Sequence, residues 1–176
     1  GEVLTFATSA TAPSWVAAAS GLTEFDQWYL PTTFTGSVFP ITTMTRLDFG
    51  PYGAPVGTGM GHSSGTFSFP STGKWLITFH MLAKGGTADS KCSALLKVSI
   101  NTGGAYTTVA DDSADTPAGI GATTGGCNTT SSYLMDVTNT STHLVQVGSS
   151  LYTAGNSVIG SSTLTYTNVI FMKVAS

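Results

Sequence analysis

The stretch GTFSFPSTGKWLITFHM (65–81) decides how the rest of the chain is read. Two aromatic-rich runs meet at a Pro-Ser-Thr-Gly turn, a composition that reverses an extended chain. In the second run Trp75, Ile77, Phe79 and Met81 alternate onto one wholly apolar face, the period-two pattern of a strand lying on a core. The opposite face, Leu76, Thr78 and His80, bears no full charge. A strand that avoids charge on both faces needs cover on both.

Composition points the same way. Charged residues make up 9% of the 176, against about 25% in an ordinary globular domain. Thr, Ser and Gly take their place, and β-branched Thr favours a pleated surface over a helix. The net charge of −3 and six scattered Lys and Arg exclude a nucleic-acid surface, which needs clustered cations. No run of eighteen apolar residues predicts a membrane span, and no cofactor motif is legible.

Strand-like runs lie near 41–48, 65–70, 73–82, 93–101, 105–110, 131–138, 142–148 and 163–174, divided by turn chemistry. About eight strands without a helical period predict an all-β sandwich or barrel. Residues 39–176 form the domain in this reading, and residues 1–38, broken at Pro13, Gly21, Pro31 and Gly36, form an arm or linker packing on it. Segments 50–64, 111–130 and 151–161 read as loops.

Some runs are apolar on one face only, such as Phe67 and Phe69 against Thr66 and Ser68. Others are apolar on both. Leu134 opposes Tyr133, Met135 and Val137, while Val169 and Phe171 oppose Ile170, Met172 and Val174. A sheet dry on its outer side needs another surface, and copies of the same chain are the economical source. Leu76, Thr78, His80, Leu134, Val169 and Phe171 are the expected contact residues. The competing reading folds segment 1–38 or 50–64 over the same face of a monomer.

The hairpin also resembles the tumour-necrosis-factor superfamily, specifically its complement globular-head (1q-type) domains. Gly65, Phe67, Pro70, Gly73, Trp75, Phe79 and His80 carry the resemblance, with support from LLKVSINTGGAYTTV (95–109) and STLTYTNVIFMKV (162–174). It covers roughly residues 40–175. It implies a jelly roll of eight to ten antiparallel strands that assembles as a tight homotrimer. One departure is TNTST (138–142), where the family usually carries a Gly-Asp turn. The low charge is more like virus and phage fibre or decoration proteins than like secreted animal members.

Other motifs have a functional and a plain reading. GHSSG (61–65) matches G-x-S-x-G with Ser63 as nucleophile and His80 or His143 as partner, but a hydrolase elbow needs a strand before and a helix after it. Asp111, Asp112 and Asp115 are weak calcium candidates, as some relatives of the resembled family bind calcium; their spacing is not that of an EF-hand. With His62, Ser63 and Asn156, these aspartates are the expected ligand-binding loop residues. Trp15, Trp28 and Tyr29 suit either sugar stacking or a core. Cys92 and Cys127 are compatible with one bridge or with two half-buried thiols. The expected function is non-enzymatic: a trimeric virion-surface protein, fibre tip or head decoration, binding a host receptor, a glycan or the capsid shell. The alternatives are a secreted recognition domain and a Ser63 hydrolase.

Overall fold

A computed structural model describes residues 2–5, 14–17, 21–48, 53–84, 91–115, 126–151 and 155–175. Fourteen strands run through these residues, all pairing antiparallel. β1 (Glu2–Thr5) and β2 (Ser14–Ala17) form a two-stranded sheet of their own. The others form two sheets that face each other. The smaller runs in the order β10 (Thr107–Asp115), β9 (Lys91–Ser99), β12 (Leu144–Leu151), β7 (Thr66–Ser68), β6 (Gly61–Ser63).

The larger sheet is centred on β8 (Gly73–Lys84). One edge of β8 pairs along its whole length with β11 (Gly126–Val137). The other pairs with β14 (Asn168–Ala175) and then, at Ala83 and Lys84, with β13 (Ser157–Val158). β3 (Phe25–Tyr29) lies beyond β14, β5 (Thr45–Arg46) beyond β3, and β4 (Phe34–Thr35) beyond β13.

The quoted stretch is the hinge between the layers. Gly73 takes φ +129°, a conformation side-chain-bearing residues rarely adopt, and β8 starts there. Trp75, Ile77, Phe79 and Met81 are fully buried, and the Trp75 Nε1–H donates to the Ser71 carbonyl at 3.2 Å. Phe67 meets Phe171 at 4.9 Å between ring centroids, and Phe69 meets Trp75 at 5.2 Å. Truncating one such ring costs about 3–5 kcal/mol.

The arm reading of residues 1–38 is corrected from residue 25 onward. β3 is an internal strand of the larger sheet, and Trp28 and Leu30 belong to the core. The chain then crosses β12 so closely that a Cβ on Gly148 would lie 2.2 Å from a Phe39 ring carbon and 2.8 Å from the Val38 carbonyl oxygen.

Cys92 and Cys127 are joined, which settles the open question of their state. The bridge ties β9 of the smaller sheet to β11 of the larger across a separation of 35 residues, and both cysteines are buried. Closing a loop of that length in the unfolded chain contributes about 4 kcal/mol in the chain-entropy account. Replacing both cysteines with Ala should lower the melting temperature by roughly 5–15 °C in differential scanning calorimetry. Gly148→Ala should lower it by roughly 2–12 °C through overpacking, whereas Gly21→Ala, with open space around it, should leave it nearly unchanged.

Candidate functional site

The outward face of the larger sheet is built from alternate residues of four adjacent strands. Register fixes its members. Leu134 and Met172 flank Leu76, Ser132 and Ile170 flank Thr78, and Thr130 and Asn168 flank His80. Phe25 and Gln27 extend the rows through β3. Most of these side chains are half-buried by their neighbours, while Leu134 stays 54% exposed. Formal charge is confined to the ends: Lys84 at one, and at the other an exposed Lys74–Asp136 ion pair at 2.9 Å.

The polar residues on this face satisfy one another. Ser132 Oγ donates to Thr78 Oγ1 at 3.2 Å, His80 Nδ1 and Thr130 Oγ1 share a hydrogen bond at 2.9 Å, and Gln27 Nε2 donates to Asn168 Oδ1 at 3.4 Å. Polar groups already paired can be covered without the desolvation cost of orphaned ones. The face is therefore neutral, apolar at the Leu76 end and internally hydrogen-bonded at the His80 end.

Two expected contact residues are not on it. Val169 stands opposite Phe79 and Phe171 opposite Ile77, so both point between the sheets, where each is fully buried. Directly paired residues share a face of the sheet, and Phe79 and Ile77 face inward. Ile170 and Met172 take the outward places instead.

The three aspartates are also placed differently from expectation. Asp111, Asp112 and Asp115 lie on β10, hydrogen-bonded to β9, and not in a loop. The Asp112 carboxylate accepts from the Thr130 N–H at 2.9 Å, and the Asp112 N–H donates to Ser131 Oγ at 3.0 Å. Ser131 Oγ in turn donates to the Ala94 carbonyl at 2.7 Å. This seam closes one side of the sandwich. No group of three carboxylate, imidazole or thiol side chains converges among the described residues, so the calcium reading finds no ligand set there. Of the rest of that expected loop, residues 126–130 belong to β11 and 116–125 lie outside the described residues.

Ser63 and His62 sit on β6, which turns at Ser64 and Gly65 directly into β7. A helix after the serine, which a hydrolase elbow requires, is replaced by a strand. His80 lies on the outward face, and His143 hydrogen-bonds Thr138 and Thr142 in the β11–β12 turn. Asn139 supplies the turn chemistry there, its Oδ1 accepting from the Ser141 N–H at 2.9 Å. Asn156 is buried, its carbonyl accepting from Gly36 N–H, so it is not an exposed loop ligand. Trp28 and Tyr29 are buried as well; the side chain of Trp15 is outside the described residues.

Sequence reading missed the network around Asp26. This buried carboxylate accepts through Oδ2 from Trp28 Nε1–H at 2.9 Å, Met60 N–H at 2.7 Å and Arg46 Nε–H at 3.2 Å. Arg46 also stacks over the Trp28 ring at 4.8 Å and donates to the Met60 carbonyl. His62 packs its ring on Trp28 at 4.9 Å and on Phe67 at 4.6 Å. The network clamps the segment before β6 to β3. The period-two pattern of FDQWY offered the one available signal, an acidic residue at a core position.

With the geometry in hand, comparison with known proteins separates fold from family. No family model matches the sequence, and no curated protein matches it. Murine APRIL superposes with a TM-score of 0.60 at 11% identity, over 85% of this chain and 98% of that one. Eiger TNF from S. frugiperda superposes with a TM-score of 0.59 at 10% identity, over 86% and 92%. The PRD1 vertex protein P5 aligns at 17% identity over 88% and 99%, but a TM-score of 0.46 gives that likeness no weight. The chain has the TNF-like jelly-roll fold, as the hairpin's resemblance implied.

Burial against Trp28 and Phe67 holds the His62 imidazole below its ordinary value of 6.5. Its folded pKa is thus lower than its unfolded one. On acidification the unfolded chain takes up the proton first, so this contribution to stability is full above about pH 6.5 and is lost as pH falls below it. Melting temperature should fall more between about pH 7.5 and about pH 5 in the parent protein than in His62→Phe.

Proposed function

We propose that three copies of the chain pack through the outward face of the larger sheet, and that the homotrimer is a non-enzymatic binding module displayed on a virion surface. The observation that carries the assembly is the neutral, internally hydrogen-bonded face around Leu76, Thr78 and His80. Left in water, Leu76, Leu134, Ile170 and Met172 would form a contiguous apolar patch of the kind monomers seldom expose. The TNF-like fold and the trimer that the resemblance implies support the same reading.

Display on a virion, as a fibre tip or head decoration, is supported by the 9% charge content and the Thr/Ser/Gly-rich sequence. The buried Cys92–Cys127 bridge suits a protein that works outside a reducing cytosol. That bridge equally favours a secreted recognition domain, and mass spectrometry of purified virus particles distinguishes the two. Recovery of the chain in stoichiometric amounts with the particles is expected; its absence from them sinks the virion assignment. A rigid trimer with three identical sites gains avidity because the second and third contacts are intramolecular.

Leu76→Asp places a charge at the centre of the packed face and should convert the assembly to monomers in size-exclusion chromatography with light scattering. Phe171→Asp should instead abolish folding, since that ring lies in the core. A Leu76→Asp protein that still elutes as three chains would contradict the placement of the contact.

A further inference from the structure

Where β9, β10 and β11 meet at one end of the sandwich, the two sheets part around a cavity of about 310 Å³. Its apolar lining comes from Val98, Ile100 and Val109, and its polar groups come from Asn101, Thr107 and Tyr133. Two backbone irregularities border it. Val109 is the extra residue of a β-bulge, skipped between the Thr108–Lys97 and Ala110–Leu96 pairs, and bulges re-aim side chains. Asn101 opens a tight turn in which Thr102 holds φ +50°, a strained value for a β-branched residue. Ser99 Oγ accepts from the N–H groups of Asn101 and Gly103 at 3.2 and 3.1 Å, fixing that turn on the end of β9.

The chemistry of the lining narrows the ligand. No charged side chain lines the cavity, so an ion would find no counter-charge there. Ile100 is 68% exposed and leaves aliphatic surface open to a ligand. The side chains of Asn101, Thr107 and Tyr133 make no hydrogen bond among the described residues. A purely apolar occupant would leave unsatisfied whichever of these groups it buried, at a cost of about 1–3 kcal/mol each. A ring with an apolar face and hydroxyl groups at its edge suits both parts of the lining: aliphatic and aromatic carbon, and an amide with two hydroxyls. The volume lies at the lower limit of ligand sites, which suits one ring.

We propose that this cavity is a binding site for a neutral pyranose sugar. Tyr133 faces inward while its neighbour Leu134 faces outward, so the cavity opens on the flank of the sandwich and not on the covered face. The site is complete within one chain and does not depend on assembly. It also lies outside the segments 50–64 and 151–161 in which loop binding was expected.

The test is a titration of the ¹⁵N-labelled protein with methyl glycosides of glucose, galactose, mannose and N-acetylglucosamine, read by amide shifts. Saturable shifts confined to residues around Asn101, Thr107 and Tyr133 are expected for at least one of the four. Thr107→Trp, which fills the cavity from an exposed strand position, should abolish them while leaving the rest of the spectrum in place. Tyr133→Phe, which keeps the ring and removes one hydroxyl, should weaken binding about two- to tenfold. The proposal is overturned if none of the four glycosides shifts these residues, if the shifts persist in Thr107→Trp, or if cyclohexanol produces the same shifts with the same affinity.

Discussion

Everything in this fold hangs on β8, whose inward side is sealed from water and whose outward side carries no charge between Lys74 and Lys84. Its inward residues, Trp75, Ile77, Phe79 and Met81, are sealed in the aromatic core with Phe67, Phe69 and Phe171. Its outward residues, Leu76, Thr78 and His80, sit in rows shared with β11 and β14. The strand is held on both edges and has no free backbone to offer a partner. A partner meeting β8 itself would therefore meet side chains on its outward face and not its backbone.

That face resembles an interior in one respect and a surface in another. Its apolar end would gain from burial, at about 25 cal/mol per Å² removed from water. Its polar end would ordinarily resist, but Ser132 with Thr78, His80 with Thr130 and Gln27 with Asn168 are already paired within the sheet. The remaining charges stand at the margins, where an ion pair such as Lys74–Asp136 adds little to stability and stays hydrated. The disulfide and the Asp112–Ser131 seam hold β9 and β10 against β11, so the sandwich is closed within one chain.

Much of the fold was legible in the sequence because long strands with clean alternation carry their own evidence. β8 and β9 are of this kind, whereas the first five residues of β11 read as loop. β3, β4, β6 and β13 were not read as strands: each has two to five residues among prolines and glycines; β3, β4 and β13 are strand because a distant partner makes them so, and β6 because it folds back on β7. β14 shows a subtler limit. Both its faces are apolar, so alternation cannot say which is core; the register with β8 decides, and it puts Val169 and Phe171 inside. The aspartates of β10 misled in the opposite sense. Asp disfavours strands by propensity, yet an exposed outer strand tolerates charge, and pairing with β9 overrides the local preference. The cavity beside Tyr133 left no trace in sequence, since its lining gathers from three strands and depends on a bulge.

Sedimentation equilibrium on the unmodified protein over a dilution series tests the central claim most directly. The account predicts a single species of three times 18.0 kDa that persists on dilution. A species of 18.0 kDa at every concentration, with the amides and side chains around Leu76 and Thr78 freely solvated, would contradict it.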